Sequence, residues 1–282
     1  MTAHILSGRD VAKVVRAEVA DRVAALAEKG KTVGLATVLV GDDPASKIYV
    51  ANKHKAAQAA GMLSLDRNLP ATATQDEVEA IVEELNQDDQ VDGMIVQLPL
   101  PDGLDGDQAV QRIDPAKDAD GLHPYNLGML MLGRTTVVPA TPSGIMRILS
   151  HYDIETSGKT AVVVGRSFLV GRPISLLLSA KGADATVTMA HSRTQPLAAV
   201  TRTADILVVA TGQPGLIGAD AVRPGAVVID VGTNRTDDGL VGDVDFAAVC
   251  EVAGAITPVP GGVGPMTIAS LLANTVEAAS RV

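Results

Sequence analysis

The sequence has no tryptophan, two phenylalanines and three tyrosines among its 282 residues, so aromatic side chains are scarce. Cysteine is scarcer still. A single residue, Cys250, excludes an internal disulfide and suits a reducing compartment. Within "FAAVCEVAG" it reads as a small buried apolar residue rather than a nucleophile. A chain of this length accommodates one large or two medium domains and buries an ordinary core without a disulfide or metal staple. Long hydrophobic runs are missing as well. The apolar stretches are short and broken by glycine, so none is expected to span a bilayer. The start, "MTAHILSGRDVAKVV", lacks a charged segment followed by a long apolar run, so no signal peptide is expected. Basic charge is in deficit: 23 Lys and Arg stand against 33 Asp and Glu, for a net charge of −10 and a pI near 4.9. That balance argues against nucleic acid or an anionic membrane as partner. An anionic small ligand would need local basic groups. The expectation is a soluble cytoplasmic protein.

What is present is alternation. "GRDVAKVVRAEVADRVAALAEKG" has helical apolar spacing and stops at Gly30, and "VGLATVLVG" is a buried strand. "DDPASKIYVANKHKAAQAAG" is a loop followed by a helix, and "LSLDRNLP" is a weaker strand. "TQDEVEAIVEELNQD" is an amphipathic helix opened by a Thr74–Glu77 capping box. "VDGMIVQLPLP" is a strand running into prolines. The stretch 102–149 is looser, with helical pieces at "GDQAVQRI" and "SGIMRILSHYD". A second alternating unit then supplies four short strands and a long closing helix. Strand–helix alternation predicts an α/β protein with mainly parallel sheet. The expected division is a substrate domain over 1–140 and a Rossmann-like dinucleotide domain over 141–266, with the helix 267–282 packing back on the first.

"VVVGRSFLVGRP" reads as strand, glycine turn and helix start. Gly165 permits the turn, Ser167 replaces the second glycine of the usual fingerprint, and Gly171 follows six residues after Gly165. A helix N-terminus of this kind can hold a pyrophosphate, although plain strand–helix packing explains a degenerate glycine turn equally well. An NAD-binding fold usually ends its second strand in a carboxylate that grips the ribose 2′-hydroxyl. Here that tip is "HSRT", His191 to Thr194. Ser192 can hydrogen-bond a 2′-phosphate, and Arg193 or Arg166 can pair with it. With Arg172 also near this edge of an acidic chain, NADP is preferred over NAD. "VATGQPG" and "DVGTN" would supply glycine-rich edges for the nicotinamide half.

Tyr49 and Lys53 in "YVANKHKAA" are four residues apart, one face of a helix. A short-chain dehydrogenase has a Tyr-x-x-x-Lys pair too, but after its glycine turn. Here the pair precedes Gly165, and that family is excluded. Lys47 and Lys55 lie off the shared face and read as solvated charges.

"SKIYVANKHKAA", "VQLPLP", "DPAKDADG", "TPSGIMRIL", "VVVGRSFLVGRP", "ILVVATGQPG", "VVIDVGTN" and "ITPVPGGVGPMT" follow one another along the chain. In this order and spacing they closely resemble the bifunctional 5,10-methylenetetrahydrofolate dehydrogenase/5,10-methenyltetrahydrofolate cyclohydrolase family, over essentially the whole length. The resemblance implies Lys53 as catalytic lysine, Tyr49 as its partner, Gln97 as the lysine's contact and Asp120 as the carboxylate that grips the pterin. It also implies substrate contacts from Ser46, Pro260, Gly261 and Gly262, with Pro258–Thr267 at the junction of folate and nicotinamide. The NADP residues it implies are Gly165, Arg166, Ser167, Ser192 and Arg193, with Thr233 where the family usually has isoleucine. No metal is implied. Tetrahydrofolate derivatives are the implied substrates, and a homodimer through the dinucleotide domains the implied assembly.

The implied chemistry suits these groups. Hydride passes from the folate methylene bridge to nicotinamide C4, a step governed by positioning. Water then attacks the methenyl cation, and the ring opens to 10-formyltetrahydrofolate. A lysine at its solution pKa of about 10.4 is a poor base at neutral pH, and a cationic substrate and burial both favour the neutral amine. A glutamine can hold that amine without adding negative charge. The sequence departs from the family at Ala140 and Met189–Ala190, neither of which supplies this chemistry, at Thr233, where a modest change in a cofactor contact is expected, and at Gly103, to which no consequence is attached. Two other readings compete. A catalytically silent folate or dinucleotide regulator would not need the lysine. Another α/β dehydrogenase acting on a small acid would need a His–Asp or Lys–Asp pair in the dinucleotide domain, where His191 and Asp230 are the candidates.

Overall fold

The computed structural model describes residues 2–135, 137–237 and 239–281. In chain order the elements begin β1 (His4–Ile5), α1 (Gly8–Ala27), β2 (Gly34–Val40), α2 (Pro44–Ala59), β3 (Leu63–Leu69), α3 (Gln75–Gln87) and β4 (Gly93–Val96). Then come α4 (Gly106–Gln111), α5 (Pro124–Met131), α6 (Ala140–His151), β5 (Thr160–Val164), α7 (Gly171–Ser179), β6 (Thr186–Ala190) and α8 (Leu197–Thr201). The chain ends with β7 (Ile206–Val209), β8 (Val227–Asp230), β9 (Asn234–Thr236), β10 (Gly239–Val241), α9 (Phe246–Cys250), β11 (Ala255–Ile256) and α10 (Val263–Ala279).

Two compact units result. One holds residues 14–140 and 268–282, the other 1–13 and 141–267. The boundaries therefore fall inside α1, at Ala140–Thr141, and inside α10.

The unit of residues 14–140 is built on a three-stranded parallel sheet, order β3-β2-β4. Every residue of the central strand, "GLATVLV", is buried, as a parallel strand covered on both faces requires. The apolar stripe of α3, Val78, Val82 and Leu85, packs with Val38, Val40, Met94 and Val96. Its start is the expected capping box: Thr74 Oγ1 accepts from the Glu77 N–H at 3.3 Å and Glu77 Oε2 from the Thr74 N–H at 2.8 Å. Strand β4 stops at Val96. One more ladder bond follows, from the Gln97 N–H to the Val38 carbonyl, and the prolines after it have no N–H to continue. The C-terminal half of α10 packs on this sheet so closely that a Cβ at Gly93 would lie 2.7 Å from Thr275 Oγ1.

The other unit is a six-stranded parallel sheet, order β1-β11-β8-β7-β5-β6, with a separate β9–β10 hairpin. Strands β5 to β8 are the four expected from sequence. Strands β1 and β11 are new: each has two residues, too few for a periodicity to show, and they extend the sheet with the chain's own N-terminus. Helix α5 is also new. Gly128 and the exposed Tyr125, Met131 and Leu132 blur its apolar pattern.

Candidate active site

Helix α2 carries Ser46, Tyr49 and Lys53. Asp43 caps it, accepting from the Ser46 N–H at 2.7 Å, and Pro44 occupies the first turn, where no N–H is missed. On its inner side, His54 Nδ1 hydrogen-bonds Ser64 Oγ and His54 Nε2 contacts the Asp66 carboxylate, which ties α2 to β3. One residue earlier, the Lys53 side chain is buried while Tyr49, one turn back, is 45% exposed. Lys47 pairs with Asp42 at the surface, and Lys55 is exposed, as expected for solvated charges.

Lys53 Nζ donates to Gln97 Oε1 at 3.1 Å. Gln97 Nε2 donates in turn to the Leu98 carbonyl at 2.7 Å. That second bond fixes which way the amide faces: a carbonyl accepts only from the NH₂, so the amide oxygen must point at the lysine. Asp120 Oδ2 stands 4.0 Å from Lys53 Nζ, the outer limit of an ion pair. The structure thus brings Lys53, Gln97 and Asp120 together, and it adds a carboxylate near a lysine expected to have only an amide beside it.

Asp120 is placed by neighbours that the sequence reading did not single out. Asp118, two residues earlier, is 2% exposed and accepts from the Gly121 and His123 N–H groups and from Asn126 Nδ2, at 2.8–2.9 Å. Burial pushes the Asp118 carboxyl above the usual carboxylate range, against the opposing pull of Asn126 and the His123 N–H. Asn274 of α10 donates to the carbonyls of both Ala119 and Val138 at 2.9 Å, which fixes the residue before Asp120 and the segment leading to the Ala140 N–H that bonds the Asp120 carbonyl. A lone asparagine in the apolar "ASLLANTVEAA" was the one available signal.

In the unit of residues 141–267, the loop after β5 carries Gly165, Arg166 and Ser167. The Gly165 N–H bonds the Ala190 carbonyl, so this loop starts beside the "HSRT" turn that ends β6. Gly165 has φ +130, and its Cβ would lie 2.2 Å from the Ala210 carbonyl oxygen. A Cβ at Gly171 would lie 2.2 Å from the Gly165 carbonyl oxygen. The close helix–strand approach is therefore made by Gly171, which leaves Ser167 free to differ from glycine; its hydroxyl accepts from the Val170 N–H at 3.2 Å. Arg166, Ser167, Ser192 and Arg193 are all exposed on these adjacent loops, and Thr233 is exposed between β8 and β9. Two exposed guanidinium groups and two hydroxyls at neighbouring strand ends form a donor set that fits a phosphorylated dinucleotide. Pro260, Gly261 and Gly262 lie between β11 and α10 in this same unit. There the Arg9 N–H bonds the Gly261 carbonyl at 3.1 Å.

Asp230, the acid that a small-acid dehydrogenase would need, is 2% exposed and accepts three backbone N–H groups. His191 Nδ1 accepts from the Arg193 N–H within its own turn. Neither side chain is arranged as a catalytic pair.

Two family models cover most of the chain. The catalytic domain of tetrahydrofolate dehydrogenase/cyclohydrolase matches residues 6–120, and the NAD(P)-binding domain of the same enzyme matches 139–282. Bifunctional protein FolD 2 of Frankia alni is 57% identical over 280 residues, 99% of this chain and 96% of that protein. Bifunctional protein FolD of Maridesulfovibrio salexigens is 52% identical over 278 residues, 98% of this chain and 97% of that protein. Among solved structures, the FolD methylenetetrahydrofolate dehydrogenase/cyclohydrolase of Campylobacter jejuni superposes with a TM-score of 0.96 at 44% identity, covering 99% of each chain. The Trypanosoma brucei enzyme, complexed with NADP cofactor and an inhibitor, superposes at 0.93 with 42% identity, covering 100% of this chain and 98% of that one. The chain belongs to the tetrahydrofolate dehydrogenase/cyclohydrolase family.

Proposed function

We propose that the protein oxidises 5,10-methylenetetrahydrofolate to the 5,10-methenyl cation with NADP and hydrolyses that cation to 10-formyltetrahydrofolate. The observation that carries this reading is the buried Lys53 held by an amide whose own orientation is locked through Leu98. NADP, when bound, accepts the hydride at nicotinamide C4. Arg193 and Ser192, with Arg166, are assigned to its 2′-phosphate, and Gly165 and Ser167 to its backbone-lined phosphate loop. Thr233 is assigned a contact at the same site. Asp120 pairs with adjacent N–H donors of the pterin, a bidentate geometry that suits a carboxylate. Those donors also occupy the charge that stands 4.0 Å from Lys53. Tyr49 presents an exposed ring to the planar substrate, and Ser46 and Pro260–Gly262 complete the folate contacts.

In the hydrolytic step the neutral Lys53 amine takes a proton from water as the oxygen attacks the methenyl carbon. The ammonium so formed returns a proton to the ring nitrogen as its bond to that carbon breaks. Gln97 Oε1 accepts from the lysine in both states, so it orients the group throughout. A silent regulator would have no use for a lysine held in this way. A reducing cytoplasm suits the free Cys250, and we assign the assembly as a homodimer through the dinucleotide units. Strand β6 supports that assignment, since it is a sheet edge with Thr186, Thr188 and Met189 exposed.

The test is spectrophotometric. With methylenetetrahydrofolate, the purified protein should reduce NADP in preference to NAD. No absorbance change with either cofactor would remove the enzyme reading.

A further inference from the structure

Two carboxylates outside the site described above are buried side by side. Asp243 is 0% exposed and Asp230 2% exposed. Asp243 Oδ2 accepts from the Thr211 N–H at 2.6 Å and the Gly212 N–H at 2.9 Å, and its Oδ1 accepts from Asn234 Nδ2 at 2.8 Å. Asp230 Oδ1 accepts from the Gly232 and Asp243 N–H groups at 2.9 and 3.0 Å, and its Oδ2 from the Val244 N–H at 3.0 Å. Each carboxylate thus has three donors. Five of the six are backbone N–H groups, and the sixth is the amide that opens β9.

These donors belong to the loop after β7, the loop after β8 and both ends of the β9–β10 hairpin. The first two loops leave the carboxyl ends of the parallel strands β7 and β8, where open α/β sheets hold their ligands, and the hairpin follows directly from β8. Two neighbouring glycines are dictated by the carboxylates themselves. A Cβ at Gly242 would lie 1.8 Å from Asp230 Oδ2, and one at Gly232 would lie 2.3 Å from Asp243 Oδ1. Neither glycine has a positive φ, so close approach and not backbone freedom excludes a side chain there. Placing two buried like charges together is costly, and burial with the facing Asp243 pushes the Asp230 carboxyl up to about 6. Elsewhere in this unit exposed or half-buried carboxylates cap single N–H groups, as Asp205 does for Thr160 and Asp184 for Gly182. Among the described residues of this unit, only at this edge are two such carboxylates fully buried and each held by three donors, which fixes the N–H groups of both loops inward.

We propose that Asp243, seated on Asp230, is a positioning residue for the bound dinucleotide: it sets the paths of the 211–212 and 232–234 loops. Asp243 does not touch the ligand and takes no part in hydrolysis of the folate cation. The inference rests on the function proposed above, and its test separates the two. Wild-type protein, Asp243→Asn and Asn234→Ala are compared by NADP titration calorimetry and by hydrolysis of preformed methenyltetrahydrofolate without cofactor. Asp243→Asn replaces an acceptor by a donor on one side. It should weaken NADP binding about tenfold, the equivalent of about 1.4 kcal/mol. Asn234→Ala removes one tie and leaves both carboxylates, so a loss of about threefold is expected, or about 0.65 kcal/mol on the same scale. Hydrolysis should stay within about twofold of wild type in both. NADP affinity unchanged in Asn234→Ala and in any folded Asp243→Asn would overturn the proposal. So would a matching fall in NADP affinity and hydrolysis, which marks a merely structural role. Failure of wild-type protein to bind NADP would instead remove the parent reading.

Discussion

Lys53 sits in a polar cluster that is complete on one side and open on the other. Gln97 fills the closed side, and its amide cannot turn without losing the Leu98 carbonyl. Asp120, at 4.0 Å, is near enough to feel the ammonium and far enough to engage a ligand. This arrangement separates the two steps at the level of one residue. Hydride transfer moves no proton to the protein, whereas hydrolysis moves one on and one off. Lys53→Met keeps length and bulk but cannot carry a proton. It should abolish methenyl hydrolysis, by about 100-fold or more on the usual scale of general base loss, while leaving measurable hydride transfer. Equal loss of both activities, with folate binding intact, would contradict the base role. Tyr49 and Lys53 were legible as a pair because four residues make one helical turn. The Lys53–Gln97 bond joins residues 44 apart in sequence, and no spacing rule reaches that far.

Elements deliver these residues through their ends and seams. Helix α2 is aimed by the Asp43 cap and by His54 on β3. Helix α7 approaches β5 through Gly171, so the glycine pattern that looked degenerate is complete where the packing needs it. Helix α10 acts at one seam through Asn274, whose two bonds hold the carbonyls of Ala119 and Val138. Asn274→Ala leaves both carbonyls without this partner. It should destabilise the protein by about 1–3 kcal/mol in urea titration and raise the Michaelis constant for the folate, since Ala119 precedes Asp120. A folate constant identical to wild type would show that Asp120 is held without this tie. The capping box at Thr74 was readable because it is local. The Asn274 contacts were not, because they span 136 and 155 residues.

The whole molecule builds its interior without aromatic rings. Phe168 and Phe246 are 36% and 38% exposed, Tyr49 and Tyr125 more so, and Tyr152 is only partly buried. Valine, isoleucine, leucine and alanine fill both clusters, as expected of parallel strands covered on both faces. The buried acids add a pH signature. Asp118 and Asp230 both hold their protons more tightly folded than unfolded. Between the unfolded value of 3.8 and the folded value of about 6, native Asp230 binds more proton than the unfolded chain does, so its contribution to stability falls as pH rises through that window. Stability of the wild type relative to Asp230→Asn should decline by on the order of 2 kcal/mol from pH 4 to pH 6.5. A flat or rising difference would mean that the three N–H donors on Asp230 outweigh its burial and keep it ionised throughout.

Alternation of apolar strands with amphipathic helices determined the α/β class, since both periodicities are local properties of the chain. The motifs in their order determined the family, and with it the expected roles of Lys53, Gln97, Asp120 and the Arg166–Arg193 edge. Tertiary structure alone decided what holds those residues. It brought Asp120 within 4.0 Å of Lys53, recruited β1 to the larger sheet, and set Asp230 against Asp243. The reason is that none of these contacts follows a local periodicity: Lys53 and Asp120 or β1 and β11 are far apart in sequence, and a two-residue strand or a lone buried acid has no repeat by which sequence could announce it.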